Sequence, residues 1–320
     1  MRKSAGILFF TGMIGVMLGG PFAVWLVSLF APEIVGGEGS QAAWRGLATL
    51  AGSWIGGSAN QAALYTIFEP DPALFAATIA VDVFVAYGWM AILLVGASHV
   101  TRLDHHFKAN NSQVEALTQR MEAYTNAHLR HALPKDYLIM LGIAFGAVGL
   151  GHWGAEWIST TIQTFAPELE RFSLTSKFFW LILLTTSMGI ALSFTSAKQF
   201  EGAGASRIAT VFLYILIASI GMQMNLFAIL KQPGLFLVGF IWILFHAILL
   251  YVVARLIKAP FFFFAIGSMS NIGGVASASV TAAAFHPALI SVAVILSVSS
   301  YAIGTYAGYL CGILMQWVSP

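Results

Sequence analysis

Polar side chains inside the apolar parts of this chain concentrate around two glycine pairs. The pairs lie in residues 55–60 (IGGSAN) and 272–277 (IGGVAS). Adjacent glycines cost about 1 kcal/mol each in a helix relative to alanine, so each pair favours a break in a helix. The freed N–H groups at such a break suit an anion, and the freed carbonyl groups suit a cation. The chemistry that these residues predict is therefore non-covalent binding of an ion or solute.

Further polar residues surround both glycine pairs. They are Ser53, Ser58, Asn60 and Gln61 at the first pair, and Ser268, Ser270, Asn271, Ser277 and Ser279 at the second. Downstream, residues 72–74 (PAL) recur as residues 287–289 (PAL), which indicates an internal repeat. Two glycine-interrupted segments in corresponding positions of two halves are typical of a transporter binding site. Small residues also permit close helix packing without a ligand, but the polar side chains at both breaks favour the site.

Asp82 is the ionisable residue that bears most on function, because it lies well inside an apolar run. A carboxylate at that depth costs several kcal/mol unless it has a partner or is neutral. It follows the first glycine pair and could face it, so we predict that it binds Na⁺ or takes up and releases a proton. The alternative is a protonated Asp82 that makes a helix–helix hydrogen bond. The corresponding position after the second pair is Ser297, so only one half of the repeat is acidic.

Other candidate residues carry weaker predictions. His246 could relay protons, but a neutral, hydrogen-bonded core histidine is favoured. Gln223 and Asn225 could line a cavity or end a helix. His128 and His131 would share a helix face and could hold a metal together with His105 and His106. Exposed histidines near lipid headgroups are the favoured interpretation, because no cysteine or carboxylate cluster joins them.

The amino-acid composition indicates the class of protein in which these residues lie. Only 9% of the 320 residues are charged, 58% are hydrophobic, and the mean hydropathy is +0.83. These values exclude an ordinary soluble domain and predict an all-α, polytopic transmembrane protein. The net charge of +2 does not suggest a nucleic-acid partner, and the single cysteine, Cys311, excludes an internal disulfide. We count about nine apolar segments: 5–30, 46–68, 72–98, 136–165, 177–197, 206–230, 233–256, 260–285 and 287–317.

The chain divides into residues 1–98 with the first repeat, an amphipathic linker over 99–135, and residues 136–320 with the second repeat. In the linker, residues 112–115 (SQVE) form a capping box that predicts a surface helix. If all nine segments cross, ten basic residues, Arg45 among them, share the side of the linker, and five lie opposite. The positive-inside rule then places the linker in the cytoplasm. Arg2 and Lys3 would lie outside, which suggests that upstream helices are missing or that the count is off by one.

Several of these residues resemble a known family. Residues 52–60 (GSWIGGSAN), Asp82, Gly221 and residues 270–274 (SNIGG) resemble the YjcL-like family of bacterial membrane proteins. That family is similar to the cation:proton antiporter/anion transporter superfamily, which includes sodium/glutamate symporters and sodium/proton antiporters. The resemblance implies two inverted repeats whose broken helices cross at mid-membrane, in a core domain that moves against a scaffold. Two features depart from it: Val83 stands where the family typically has Asn, and five segments separate the breaks where an even number is required.

The sequence therefore predicts a secondary active transporter of a small organic solute, driven by Na⁺ or H⁺, rather than an enzyme. Candidate ion-binding residues are Asp82, Asn60, Ser58 and Asn271, and candidate solute-binding residues are Gly56, Gly57, Ser270, Gly273, Gly274 and Ser277. The alternatives are a cation/proton antiporter without an organic substrate and a non-transporting membrane scaffold. Expected partners are the lipid bilayer of the inner (plasma) membrane, the solute, the coupling ion and a second copy of the chain. No cofactor other than Na⁺ is expected.

Overall fold

The computed structural model describes residues 2–167, 174–175, 177–205, 207–209, 211–212, 215 and 233–320. This part of the chain is helical and contains no strand. The helices are α1 (Arg2–Ser28), α2 (Pro32–Val35), α3 (Ala43–Gly56), α4 (Ser58–Phe68), α5 (Pro72–Ser98), α6 (Val100–Phe107), α7 (Ser112–Ala127), α8 (Pro134–Phe165), α9 (Lys177–Ser193), α10 (Pro233–Leu256), α11 (Phe261–Ile272), α12 (Gly274–Ala283) and α13 (Ile290–Val318). Short 3₁₀ turns occupy Gly39–Gln41, Ser196–Glu201 and Pro287–Leu289.

Five of these helices, α1, α5, α8, α10 and α13, are long and apolar enough to cross a membrane. They correspond to five of the nine apolar segments, and they indicate a membrane-embedded protein. Segment 177–197 contains the 17-residue helix α9. Most of segment 206–230, including Gly221, Gln223 and Asn225, lies outside the described residues. The two glycine-rich segments, 46–68 and 260–285, each form two short helices instead of one long one.

Helices α3 and α4 form an antiparallel pair, which we call hairpin 1. The Arg45 guanidinium donates to the Phe68 carbonyl, and the rings of Trp44 and Phe68 are 5.6 Å apart, so the beginning of α3 adjoins the end of α4. The chain reverses at Gly57, whose φ of 88° and ψ of −177° lie in a region that essentially only glycine adopts. Hairpin 1 therefore begins and ends at the same end of the helical bundle.

Helices α11 and α12 form a second antiparallel pair, which we call hairpin 2. The Phe262 and Phe285 rings are 5.4 Å apart, so the two ends of this hairpin also meet. Gly274 has a φ of 62°, in the left-handed region, and it follows the break. All twelve residues of α11 are buried, which places this arm in the middle of the protein.

The two hairpins enter the bundle from opposite ends. Hairpin 1 is followed at once by the start of α5, and the Asp71 N–H donates to the Ser40 carbonyl beside it. Hairpin 2 begins where the other end of α5 leads into α6, because the Phe261 N–H donates to Asp104 Oδ1. The 27 residues of α5 separate these ends by about 40 Å at 1.5 Å per residue.

The prediction that both broken segments cross the bundle is therefore wrong. Each glycine pair reverses the chain, because the positive φ of Gly57 and Gly274 turns the backbone back on itself. This changes the arrangement of the charges. The start of α1 packs in one cluster with Phe107 and Phe261, at the end where the linker lies. Arg2 and Lys3 thus begin at the linker end, and Arg45 lies at the opposite end, the reverse of what the sequence predicted.

The linker packs on the ends of hairpin 2. Phe107 of α6 is buried among the rings of Tyr251, Phe261 and Phe264. Helix α7 begins at the capping-box serine and ends at Ala127, so the surface helix is confirmed. His128 and His131 both follow its last residue, and the prediction that they share a helix face is wrong.

The end of the linker is tied to the start of α8 by an ion pair. The Arg130 guanidinium donates two hydrogen bonds to the Asp136 carboxylate, at 2.6 and 2.9 Å. This carboxylate raises the pKa of the Arg130 guanidinium. The linker therefore connects hairpin 2 on one side with α8 on the other.

Candidate functional site

The tips of the two hairpins meet on two adjacent residues of α13. The Ser300 hydroxyl lies between the Ile55 carbonyl of hairpin 1 and Asn271 Oδ1 of hairpin 2, which is 3.0 Å away, and its single hydrogen is shared between these two acceptors. The Val275 N–H of hairpin 2 donates to the Tyr301 hydroxyl at 3.2 Å. A Cβ on Gly57 would lie 2.8 Å from the same tyrosine ring, so this ring touches both breaks.

Asn60 fixes the tip of hairpin 1 to α13. Its Nδ2 donates to the Tyr301 carbonyl and to Thr305 Oγ1, each at 2.9 Å. The backbones are close at this point, because a Cβ on Gly304 would lie 2.6 Å from the Gly56 Cα. Asn60 is fully buried, and its Oδ1 has no hydrogen-bond partner within the described part of the chain. This buried acceptor could ligate a cation or accept from a solute.

Asn271 fixes the tip of hairpin 2 and is fully hydrogen-bonded. Its Nδ2 donates to the Phe9 carbonyl of α1 at 3.0 Å and to the Gly267 carbonyl at 2.8 Å. Its Oδ1 accepts from Ser300. The two asparagines therefore lie on either side of Ser300 and Tyr301, but only Asn60 keeps an unused buried acceptor.

Asp82 contacts an arm of hairpin 1 rather than its tip. Its Oδ2 accepts from Ser53 Oγ at 2.5 Å, and its Oδ1 accepts from the Trp54 indole N–H at 2.8 Å. Both partners lie in the last turn of α3, and Asp82 as a whole residue is half-buried. We call this arrangement the Asp82 contact. A carboxylate oxygen and a serine oxygen can ligate Na⁺, whereas an indole N–H can only donate.

Hairpin 2 has its own contact with α5, centred on Ser268. The Trp89 indole N–H donates to Ser268 Oγ at 2.7 Å, and His246 Nε2 lies 2.8 Å from the same oxygen. His246 Nδ1 lies 3.0 Å from the Gly12 carbonyl. We call this arrangement the Ser268 contact; it joins α5, α11, α10 and α1. The core-histidine interpretation of His246 agrees with its full burial.

The remaining candidates lie at or beside the tips. Ser58 is exposed, and Gly57 and Gly273 are partly exposed, so both breaks can be reached from outside. Ser277 is buried near the Tyr87 phenol, which also lies within electrostatic range of Asp82. Ser270 is buried and makes a long 3.4 Å hydrogen bond to the Ala293 carbonyl, which is a packing contact.

The hydrogen bonds of the described residues divide the predicted site residues between two helices. Asn60, Asn271 and the glycine pairs meet on α13, whereas the described hydrogen bonds of Asp82 go to α3. Sequence reasoning missed the residues that complete these contacts: Trp54, Tyr87, Trp89, Ser300, Tyr301 and Thr305. For the two tryptophans a signal existed, because a buried indole N–H requires an acceptor.

A polar cavity of about 750 Å³ lies away from the tips, at the linker end. It separates α6 and α7 from the ends of hairpin 2. Its polar lining residues are Thr101, Asp104, His105, Lys108, Asn111, Glu115, Thr118 and His286. Asp104 is held in its wall by the Phe261 N–H and by Asn111 Nδ2. The cavity therefore gives access to the ends of hairpin 2, not to its break.

Together these features define a class: a membrane-embedded helical protein with two opposed, glycine-tipped hairpins and a carboxylate beside one of them. The chain belongs to a family described as protein of unknown function (DUF819), which matches residues 3–318. No curated protein and no solved structure is significantly similar to it.

Proposed function

We propose that the chain is a secondary active transporter that moves a small organic solute, coupled to Na⁺ or H⁺. The supporting observation is that two hairpins from opposite ends bring their tips to Ser300 and Tyr301. Short helices that end inside a bundle carry partial charges to that point, positive at α4 and α12 and negative at α3 and α11. A site between two such tips can be reached from either side of a membrane by moving one hairpin at a time.

The same arrangement supports an inverted repeat. One unit is α1, hairpin 1 and α5; the other is α10, hairpin 2 and α13. Helix α1 begins at the linker end, whereas α10 begins at the opposite end, where Gly234 lies against Ile34. The two units would then run in opposite directions, as in the superfamily of the sodium/glutamate symporters, to which the chain is proposed to be similar.

Nine apolar segments would correspond to seven crossings and two hairpins. Gly202 accepts from the Arg130 N–H at the linker end, and Gly234 lies at the opposite end, so the chain changes ends between these two residues. Five crossings would then separate the hairpins. Two hairpins that enter the bundle from opposite ends require an odd number of crossings between them. The five segments counted between the two breaks are then compatible with an inverted repeat.

The charges support a cytoplasmic linker in an inner (plasma) membrane. The linker end carries Lys3, Arg102, Lys108, Arg120, Arg130, Lys135, Lys198, Arg207, Arg255 and Lys258. Among the described basic residues, Arg45 and Lys177 lie at the opposite end. Basic residues accumulate on the cytoplasmic side of membrane proteins, and the start of α1 now conforms to this rule.

The proposal is tested by the thermal stability of the purified protein as Na⁺ replaces K⁺ at fixed ionic strength. A ligand that binds only the folded state stabilises it by RT ln(1 + [L]/Kd), about 2.7 kcal/mol at 100 times Kd. We expect saturable stabilisation by Na⁺, or a response to pH, that is lost in Asp82→Asn. Asp71→Asn is the matched control, because it removes a carboxylate at the start of the same helix. If wild type responds to neither ion, Asp82 does not couple transport.

A cation/proton antiporter without an organic substrate is the second candidate. It is supported by the hydrogen bonds of Asp82, which go to Ser53 and Trp54 of α3, because an ion site on α3 and α5 does not require a solute beside it. In proteoliposomes, this function would give a pH change on addition of Na⁺ or K⁺ alone. The coupled transporter would need solute for the same change, and a scaffold would give neither.

A further inference from the structure

Helix α5 holds both hairpins, and it does so by two contacts of different chemistry. Asp82 accepts two hydrogen bonds from the α3 arm of hairpin 1. Trp89, seven residues or about 10 Å further along the helix, donates to Ser268 in the α11 arm of hairpin 2. A single helix therefore contacts both hairpins, through Asp82 to hairpin 1 and through Trp89, with Tyr87 beside Ser277, to hairpin 2.

The Ser268 contact is complete when its histidine is neutral. The Gly12 carbonyl can only accept, so His246 Nδ1 carries the proton, and Nε2 is then an acceptor for the Ser268 hydroxyl. The Trp89 N–H can only donate, and it uses the lone pair that the serine oxygen still offers. Every donor in this series of hydrogen bonds thus meets an acceptor. If both nitrogens of His246 were protonated, Nε2 could no longer accept, and the Ser268 hydroxyl hydrogen would lose its acceptor in this contact.

The Asp82 contact contains an ionisable acidic group, whereas the hydrogen bonds of the Ser268 contact join neutral groups. The hydrogen-bond partners of the His246 ring are the Gly12 carbonyl of α1 and the Ser268 hydroxyl of α11, and neither carries a charge. Asp82 is itself ionisable and partly exposed, and its titratable neighbour is Tyr87 of the same helix. Its two partners from α3, Ser53 and Trp54, are neutral. A proton or a cation can therefore change the Asp82 contact. The Ser268 contact contains no negatively charged group that a proton or a cation could neutralise.

We propose that Ser268, held by His246 and Trp89, is a positioning residue that keeps hairpin 2 fixed to α5. Hairpin 1 is then the hairpin whose attachment changes when Asp82 binds or releases its ion. This inference rests on the proposed coupling at Asp82 and adds which hairpin responds to it. Hydrogen bonds to a charged carboxylate are about twice as strong as neutral ones. Neutralising Asp82 consequently loosens hairpin 1 far more than hairpin 2, whose link to Asp82 is the Tyr87 phenol beside Ser277.

Hydrogen–deuterium exchange of the full-length protein at one pH and temperature tests this assignment. In Asp82→Asn, we expect exchange to rise about tenfold or more in residues 49–60 and to stay within twofold in residues 265–277. In Ser268→Ala, we expect the opposite pattern. Ser270→Ala is the matched control, since it removes the same atom from a buried serine two residues away that is outside the contact.

A second measurement separates positioning from a general loss of stability. In wild type, titration with Na⁺ or with pH should change exchange in hairpin 1 far more than in hairpin 2, and in Ser268→Ala both hairpins should respond. The inference is overturned if the wild-type titration changes both hairpins equally, or if Ser268→Ala and Ser270→Ala behave alike. These results do not depend on a solute. Failure of transport in proteoliposomes would remove the proposed function while leaving the exchange result to decide the inference.

Discussion

Hairpin 1 and hairpin 2 share a topology and differ in nearly every contact that holds them. Hairpin 1 packs backbone to backbone on α13 at Gly56 and Gly304, has an exposed residue at its tip, and leaves Asn60 Oδ1 without a partner. Hairpin 2 has a fully buried arm, a fully bonded Asn271 and a cap from Asp104 of the linker. At the two tips, the asparagine of hairpin 1 keeps an unused buried acceptor and the asparagine of hairpin 2 does not.

This difference teaches that two hairpins can share a glycine turn and still differ in the chemistry beside it. The glycine pair is common to both hairpins, because the backbone must reverse in each of them. The carboxylate is beside one copy and the neutral histidine beside the other. The predictions below test whether hairpin 1 is the less constrained of the two.

The largest effect is expected at the packing of hairpin 1 on α13. In Gly304→Ala, the new Cβ would meet the Gly56 Cα at 2.6 Å, and a backbone atom cannot rotate away. Overpacking of this kind typically costs 1–3 kcal/mol and occasionally more, so we expect a loss of about 3 kcal/mol in the free energy of unfolding. Denaturant unfolding in detergent measures it. Gly88→Ala is the control, because a Cβ there meets nothing within 4 Å; an equal loss in both variants would contradict the close approach.

The two asparagines should differ in the next measurement. Asn271→Ala removes a side chain that donates twice and accepts once, and we expect a loss of about 2–3 kcal/mol. Asn60→Ala removes two donated bonds but also a buried oxygen that was already unsatisfied, so its loss should be about 1 kcal/mol smaller. The same unfolding assay compares them. Equal losses would mean that Asn60 Oδ1 has a partner.

A double-mutant cycle with Tyr301→Phe distinguishes the two breaks. Gly57→Ala and Gly274→Ala should each cost about 2 kcal/mol, from the positive φ and from contact with Tyr301. The new Cβ at position 274 would meet the tyrosine hydroxyl oxygen at 2.8 Å, whereas the one at position 57 would meet a ring carbon. Removing the hydroxyl should therefore reduce the cost of Gly274→Ala only. Rescue of both substitutions, or of neither, would refute this placement of the ring.

The smallest effect is expected where the linker caps hairpin 2. Asp104→Ala leaves the Phe261 N–H without its acceptor and should cost about 1 kcal/mol, as for other helix caps. Asp104→Asn keeps one acceptor oxygen and should lose less. Hairpin 1 has no such cap, because Ala42 precedes α3 and offers no side-chain acceptor. Ala42 is buried in the apolar core, so Ala42→Asp would place a carboxylate there and should be destabilising. A large loss at Asp104 in thermal unfolding would mean that the linker does more than cap.

The sequence predicted the local structure, and it did not predict the contacts between residues that are distant in the chain. The breaks at both glycine pairs, the five long helices and the placement of Asp82 in an apolar helix follow from residue type and spacing. Whether the chain crosses or turns back at a glycine pair does not, because it depends on contacts such as Arg45 with Phe68. Ser300 and Tyr301 looked like ordinary residues of a long helix. Their role arises only when two hairpins from opposite ends reach them.

The dependence of hairpin 1 on α13 has a consequence for biosynthesis. The residues that accept from Asn60 follow it by 241 and 245 positions. At about 5–20 residues per second, the ribosome needs roughly 12–50 s to produce them. Until then the reversed backbone around Gly57 lacks its contacts with Tyr301 and Gly304 of α13, and unpaired backbone groups in lipid cost several kcal/mol each. We therefore expect hairpin 1 to wait at the membrane surface, and to be open to proteases or chaperones, until α13 is made.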